Sequence, residues 1–266
     1  MVAGVALFLQ SGTHAMWHRC GTCLVSGTAI ATYAGMTTPT LRPFALTDIV
    51  EDSTPGDRAR RALNVVIASV ALLLAAIPML IIAVFIKLTS RGPVLFRQRR
   101  IGLDRREPGH EGGNWRRHAD HGGRSFIMYK FRTMRLEAEP TPEVWAVRGD
   151  PRVTTVGRVL RKFRLDELPQ LWNVLVGDMN IVGPRPEQPA IFASLRDQIK
   201  EYPQRQQVLP GITGWAQINQ AYDSCLDDVR QKLSYDLQYI RTRSAFEDLK
   251  IMLLTPAVML GRPFGW

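Results

Sequence analysis

Between Val65 and Ile86 the chain runs for 22 residues without a charge, VVIASVALLLAAIPMLIIAVFI. At a rise of about 1.5 Å per residue, such a helix matches the roughly 30 Å hydrocarbon core of a bilayer. Two details set it apart from a simple crossing. Pro78 lies in its middle, where a missing N–H and a ring clash with the preceding turn kink or break a helix. Both flanks are basic, with Arg58, Arg60 and Arg61 before the run and Lys87, Arg91, Arg97, Arg99 and Arg100 after it. A spanning helix concentrates its basic flank on one side. Three readings are open: a re-entrant segment that enters and leaves by one face, a spanning helix, and a buried helix of a soluble domain. The re-entrant reading accounts for both flanks and for Pro78. It also requires a partner for the carbonyl freed near Leu74, because unpaired backbone in lipid costs several kcal/mol.

Over all 266 residues, charged ones make up 22% and hydrophobic ones 45%, which excludes a wholly disordered chain and a coiled coil, and the mean hydropathy of -0.08 excludes a polytopic transporter. Three cysteines, Cys20, Cys23 and Cys225, are too few for a disulfide scaffold. The net charge of +10 leaves nucleic acid, an anionic membrane face or phosphorylated substrates as partners. No aromatic-studded basic patch, helix-turn-helix or zinc module is present, so no nucleic acid is expected.

Three regions follow. Residues 1–56 read as a poorly structured tail, and Met36 stands as an alternative start. Cys20 and Cys23, with His14 and His18, match a zinc site in ligand count, but no second CxxC follows and the pair is read as incidental. Residues 57–90 form the re-entrant membrane segment. Residues 91–266 form a cytosolic domain with a flexible Gly-, His- and Arg-rich insertion at 103–125. Within it, alternation over Phe126–Phe131 predicts a strand, and Val153–Phe163, Leu168–Val176 and Asp228–Ile240 predict helices. Asp248–Leu260, interrupted by Pro256, reads equally as an interfacial element or a core helix. The fold class expected is α+β, mainly helical.

The chemistry concentrates in three stretches. In Arg164-Leu-Asp-Glu-Leu-Pro169, Pro169 suits a helix start and puts Asp166 at or just before the N-cap. Successive helical residues diverge by about 100°, so Asp166 and Glu167 take different tasks. Lys130 and Arg132 project to one face of the predicted strand. Gly183-Pro-Arg-Pro186 holds Arg185 in a rigid turn, suited to bidentate phosphate recognition, and Arg161 adds a further cation. Carboxylates among fixed cations beside a membrane segment point to phosphoryl chemistry on a lipid-borne acceptor.

From about Arg60 to Lys250 the chain closely resembles the bacterial sugar transferase family, the monotopic polyprenyl-phosphate phosphoglycosyl transferases. The resemblance rests on Ile86–Phe96, Gln98-Arg-Arg-Ile-Gly102, Met128–Met134, Asp150–Thr154 with Val156-Gly-Arg158, and Leu165-Asp-Glu-Leu-Pro-Gln170. Gly177-Asp-Met179, Ile181–Pro186, Pro210–Gln217, Tyr235-Asp236 and Asp248-Leu-Lys250 complete it, in order. It implies a small catalytic domain facing the cytoplasm, resting on a re-entrant helix hairpin in the bacterial inner membrane. It implies that Asp166 is a nucleophile toward a UDP-sugar, releasing UMP, and that undecaprenyl phosphate then takes the sugar 1-phosphate from an aspartyl intermediate. Such a product starts an exopolysaccharide or other surface glycan, with downstream glycosyltransferases as partners. Glu167 would help hold Mg²⁺ with Asp166 or orient the acceptor. Lys130, Arg132, Arg161 and Arg185 would bind substrate phosphates, and Arg60, Arg61 and Pro78 would meet the membrane, the arginines at lipid head groups. Two departures stand out: Ile77 occupies a position where many relatives carry Ser, and the 103–125 insertion is long. A catalytically silent membrane scaffold is the competing reading, against which the intact Asp166–Glu167 pair argues.

Overall fold

The computed structural model describes residues 55–104, 123–135, 150–220 and 225–261. The tail with Cys20, Cys23 and Met36 and most of the 103–125 insertion lie outside them.

Helix α1 (Pro55–Thr89) comprises 35 residues and contains Pro78 without interruption. The two-limbed hairpin expected from Pro78 is therefore corrected to one continuous helix: an interior proline removes a single backbone donor and leaves the hydrogen bonds around it available. Positions Arg60, Asn64 and Ala68, then Ile82 and Ile86, form the buried stripe of α1 at spacings of four residues within each end. Ala68 packs with Leu171, Val174 and Met179, whereas Ile82 and Ile86 pack with Phe131 and Leu160. Both ends of α1 thus dock on the same body. Between them Leu73, Leu74, Ile77 and Leu80 are 67–82% exposed and form an apolar crest.

Strand β1 (Leu95–Ile101) pairs antiparallel with β2 (Ser125–Phe131), in register from Leu95↔Phe131 to Ile101↔Ser125. The predicted strand is thus the second arm of a ribbon, and the base of the insertion is closed by Gly102 N–H donating to the Arg124 carbonyl. Helix α2 (Thr155–Lys162), capped by Thr154, leads through a 3₁₀ turn (Leu165–Glu167) into α3 (Gln170–Val176). Strand β3 (Asn180–Val182) pairs in parallel with β4 (Gly211–Thr213). Between them lie α4 (Pro189–Gln198) and a 3₁₀ helix (Tyr202–Gln207). The chain ends in α5 (Trp215–Asn219), α6 (Leu226–Thr242) and α7 (Ala245–Gly261). The predicted helices match within a few residues. Helix α7 runs through Pro256 and is two-faced, burying Asp248 and Ile251 while exposing Phe246 and Leu253.

Polar anchors, not only apolar contacts, seat α1. Arg60, expected at lipid head groups, is buried instead: its Nε donates to Asp248 Oδ2 at 3.0 Å and its Nη2 to the Tyr239 hydroxyl at 2.7 Å. Arg61, expected there too, turns inward and donates to the Leu175 and Met179 carbonyls, satisfying the C-terminal end of α3. Asn64 Oδ1 accepts from the Ile181 N–H at 2.6 Å, tying α1 to β3. A guanidinium on its helix's interior face finds carboxylate and carbonyl partners there, and burial makes those partners obligatory.

Replacing Asp248 with Ala takes from Arg60 its buried carboxylate, leaving it the Tyr239 hydroxyl and the more distant Asp57 carboxylate at 3.6 Å. Breaking a buried pair costs about 3–5 kcal/mol, and roughly 2–4 °C of Tm accompanies each kcal/mol at this size. A drop of about 10 °C is expected by differential scanning fluorimetry in detergent, and a smaller one for Arg60→Met/Asp248→Leu.

Candidate active site

The 3₁₀ turn carrying Asp166 and Glu167 lies between α2 and α3, with both side chains buried. Asp166, expected at or just before the N-cap, lies ahead of it in the 3₁₀ turn, and Pro169 takes the N-cap of α3. Asn173 of α3 fixes the turn's distance from the ribbon. Its Oδ1 accepts from the Tyr129 N–H at 3.1 Å and its Nδ2 donates to the Ile127 carbonyl at 2.7 Å, so α3 completes the free edge of β2.

Three cations meet at one oxygen. Glu167 Oε1 lies 2.6 Å from Arg185 Nη2, 3.2 Å from Lys130 Nζ and 3.6 Å from Arg164 Nη1. Lys130 arrives there because it shares the inward parity of Phe126 and Met128 on β2. Arg185 arrives because its turn is bolted from below. Arg205 donates to the Arg185 carbonyl at 3.0 Å and also pairs with Glu187 at 3.2 Å and Asp236 at 2.8 Å. Arg100 donates to the Pro186 carbonyl at 3.0 Å, and Lys232 reaches Glu187 at 3.0 Å. Gly183 and Gly211 permit the crossing of β3 and β4 beneath this turn, since a Cβ on Gly211 would fall 2.1 Å from the Gly183 nitrogen.

Asp166 contrasts with its neighbour. Its Oδ1 is buried and accepts no hydrogen bond among the described residues. Burial pushes its carboxyl above the usual range and the Glu167 charge adds to this, while Lys130, Arg164 and Arg161 act in the opposite direction. Burial also pushes Glu167 upward, but Arg185, Lys130 and Arg164 together hold it well below the ordinary glutamate value. Lys130 is lowered to about 8, first by burial and then by the Arg185 and Arg100 charges, against Glu167 and Asp166.

Of the predicted phosphate-binding residues, Lys130, Arg161 and Arg185 surround the dyad. Arg161 donates through Nε to Thr133 Oγ1 at 2.9 Å and lies within electrostatic range of Asp166. Arg132 does not join them, which corrects that expectation. Strand β2 ends at Phe131 and its parity ends with it, so Arg132 folds back to donate to the Ser90 carbonyl and Oγ, each at 2.9 Å, and to the Arg91 carbonyl. It ties the exit of α1 to the ribbon. The reading of the sequence missed Arg164, Arg205, Asn64 and Asn173. Arg164 directly precedes the Leu-Asp-Glu run and could have been noted on charge alone; the other three reach Arg185, Ile181 and Ile127 across 20 residues or more, which local pattern does not reveal.

A family model described as bacterial sugar transferase matches residues 56–262. A UDP-N-acetylgalactosamine-undecaprenyl-phosphate N-acetylgalactosaminephosphotransferase of Aeromonas hydrophila is 40% identical over 201 residues, 76% of this chain and 43% of that protein. A UDP-glucose:undecaprenyl-phosphate glucose-1-phosphate transferase of Caulobacter vibrioides is 41% identical over 206 residues, 77% of this chain and 70% of that protein. Exopolysaccharide production protein ExoY of Rhizobium meliloti is 36% identical over 227 residues, 78% of this chain and 88% of that protein. Against several longer relatives the chain spans only 35% to 43% of their length. The chain belongs to the bacterial sugar transferase family.

Lys130 is charged below its value of about 8 and neutral above it. Affinity for inorganic pyrophosphate without divalent cation, measured by isothermal titration calorimetry, is therefore expected to fall between pH 7 and pH 9. Pyrophosphate itself gains charge over that range, which acts in the opposite direction, so a fall reports the protein. Lys130→Arg should flatten it, since arginine stays protonated.

Proposed function

We propose that this protein is a polyprenyl-phosphate sugar-1-phosphate transferase acting on a UDP-sugar. The observation that carries the reading is the division of labour in the dyad: among the described residues, Glu167 is neutralised by three cations, while Asp166 Oδ1 accepts no hydrogen bond. Asp166 attacks the sugar-bearing phosphorus in line, forming an aspartyl–phosphorus bond as the bond to the bridging oxygen breaks and UMP leaves. An oxygen of undecaprenyl phosphate then attacks the same phosphorus, releasing the Asp166 carboxylate and a lipid-linked diphosphate sugar. Splitting the transfer in two replaces one difficult displacement with two easier ones. Lys130, Arg161 and Arg185 stabilise charge on the phosphoryl oxygens. Relatives named for exopolysaccharide production and for undecaprenyl-phosphate transfer support a role in starting a surface glycan that further glycosyltransferases extend.

The donor set suits Mg²⁺. This ion commonly takes one or two carboxylates and completes its shell with water and substrate phosphate. Asp166 supplies a buried, unpartnered oxygen of that kind, with Glu167 beside it as the weaker, already compensated donor. When bound, the ion would offset the repulsion between an attacking carboxylate and an anionic diphosphate.

The membrane reading rests on the same economy of position. Both ends of α1 dock on one domain while its crest exposes Leu73, Leu74 and Ile77, so the helix lies along the cytoplasmic face of the inner membrane with that crest in one leaflet. The exposed face of α7 lies at the interface alongside it. This keeps the dyad level with a lipid phosphate.

Membranes carrying the protein, supplied with Mg²⁺, undecaprenyl phosphate and a panel of UDP-sugars, are expected to release UMP from at least one sugar. Asp166→Asn should abolish release without loss of membrane association. Reporter cysteines at Arg58 and Lys87, in a background lacking the native three, should both label from the cytoplasmic side; opposite-side labelling would overturn the topology.

A further inference from the structure

The backbone that carries the dyad continues into α3 without a break. After the 3₁₀ turn, Leu168 (φ −51°, ψ −38°) and Pro169 (φ −62°, ψ −16°) stay right-handed. The Leu171 and Trp172 N–H groups donate back to the Leu168 and Pro169 carbonyls, each at 3.1 Å. Gln170 therefore stands one turn beyond both acids, three positions after Glu167 and four after Asp166. Helical side chains lean toward the N-terminus and cover the preceding turn, so position 170 covers the turn that holds the dyad.

Gln170 is 1% exposed, and among the described residues its Nε2 finds no acceptor. Asp166 Oδ1, buried one turn earlier, has no donor, and the two groups do not pair with each other. Asn173, a turn further along α3, shows the same amide chemistry in a structural post. It spends both ends on β2, accepting from the Tyr129 N–H and donating to the Ile127 carbonyl. A buried amide without such partners costs stability that Met or Leu of similar volume would not. A donor and an acceptor left open within one turn fit a third body that meets both. A phosphoryl group does so: its oxygens accept hydrogen bonds and its phosphorus accepts a nucleophile.

We propose that Gln170 is a further catalytic residue, its Nε2–H donating to a non-bridging oxygen of the sugar-bearing phosphate while Asp166 attacks the phosphorus. This rests on the transferase reading above. The bond from Asp166 to phosphorus forms as the bond to the bridging oxygen breaks, and UMP leaves with that electron pair. Gln170 keeps its protons throughout. Held by burial, its donor needs no reorganisation as charge shifts among the phosphoryl oxygens, which is where a preset hydrogen bond gains strength. A neutral amide directs the phosphate in this way without adding a fourth cation to the three on Glu167.

The test measures UMP release by the full-length protein in detergent, with Mg²⁺, undecaprenyl phosphate and a panel of UDP-sugars, comparing wild type with Gln170→Met and Gln170→Leu. Both replacements fill the space with no polar atom to satisfy, so their Tm should equal or exceed that of wild type. Their kcat should fall about a hundredfold, with the KM for the UDP-sugar little changed, because the lost hydrogen bond counts most in the transition state. Unchanged kcat in either variant would overturn this inference and leave the transferase reading standing. So would a raised KM at unchanged kcat. A loss of activity accompanied by a lowered Tm in both variants would assign Gln170 to packing and overturn the proposal. Absence of UMP release by wild type would overturn both readings.

Discussion

Glu167 Oε1 receives Arg185, Lys130 and Arg164 from three separate parts of the chain, and that convergence organises the site. Three cations within a few ångströms of one another repel, and each has left part of its hydration behind. Only an anion held among them makes the arrangement tolerable, because attraction and repulsion both grow as the local dielectric falls. Glu167 supplies that anion permanently. Its charge is thereby spent on structure, and the neighbouring carboxylate keeps an oxygen uncommitted to any donor. The chemical difference between two adjacent acids comes from what surrounds them, not from their side-chain type.

The same logic explains how α1 is seated. A long, mostly apolar helix without polar anchors could slide or rotate along its groove, since one aliphatic stripe resembles the next. Arg60 on Asp248, Arg61 on the end of α3 and Asn64 on β3 fix both its rotation and its depth. At the other end Arg132 grips Ser90. The exposed crest between these points is apolar, so the polar groups of α1 that need partners are the ones turned inward. Basic residues flanking an apolar run look alike in sequence whether they face phosphates or carboxylates. Arg60 and Arg61 were legible as flanking charges; that their partners lay more than 100 residues away was not.

Local signals elsewhere reached as far as local physics extends. Alternation located β2, and the 3.6-residue period located α2, α3 and α6 within a few residues. Lys130 was legible as an inward cation because strand parity is a strict rule while the strand lasts. Arg132 failed by the same rule, since it stands one residue past the strand's end. Pro78 overstated the break in α1, because a proline's local cost is small beside the hydrogen bonds and packing of the whole helix. The Asp166–Glu167 pair and Arg185 were recognisable as motif residues, but nothing in their spacing revealed that they touch.

Beneath Arg185, a buried cluster of Arg205, Lys232, Glu187 and Asp236 holds two cations and two carboxylates. Glu187 is held well below its ordinary pKa by Lys232, Arg205 and Arg100 against the opposing effect of burial, so it stays ionised. Apolar residues of similar volume could match such a cluster for stability, because desolvation offsets much of the Coulomb gain. They could not present donors to the carbonyls of Arg185 and Pro186, which Arg205 and Arg100 do. A rigid proline on each side limits how the turn bends; the donors below it decide where it sits. The geometry at Glu167 is therefore set from two layers away, by charges that no substrate need touch.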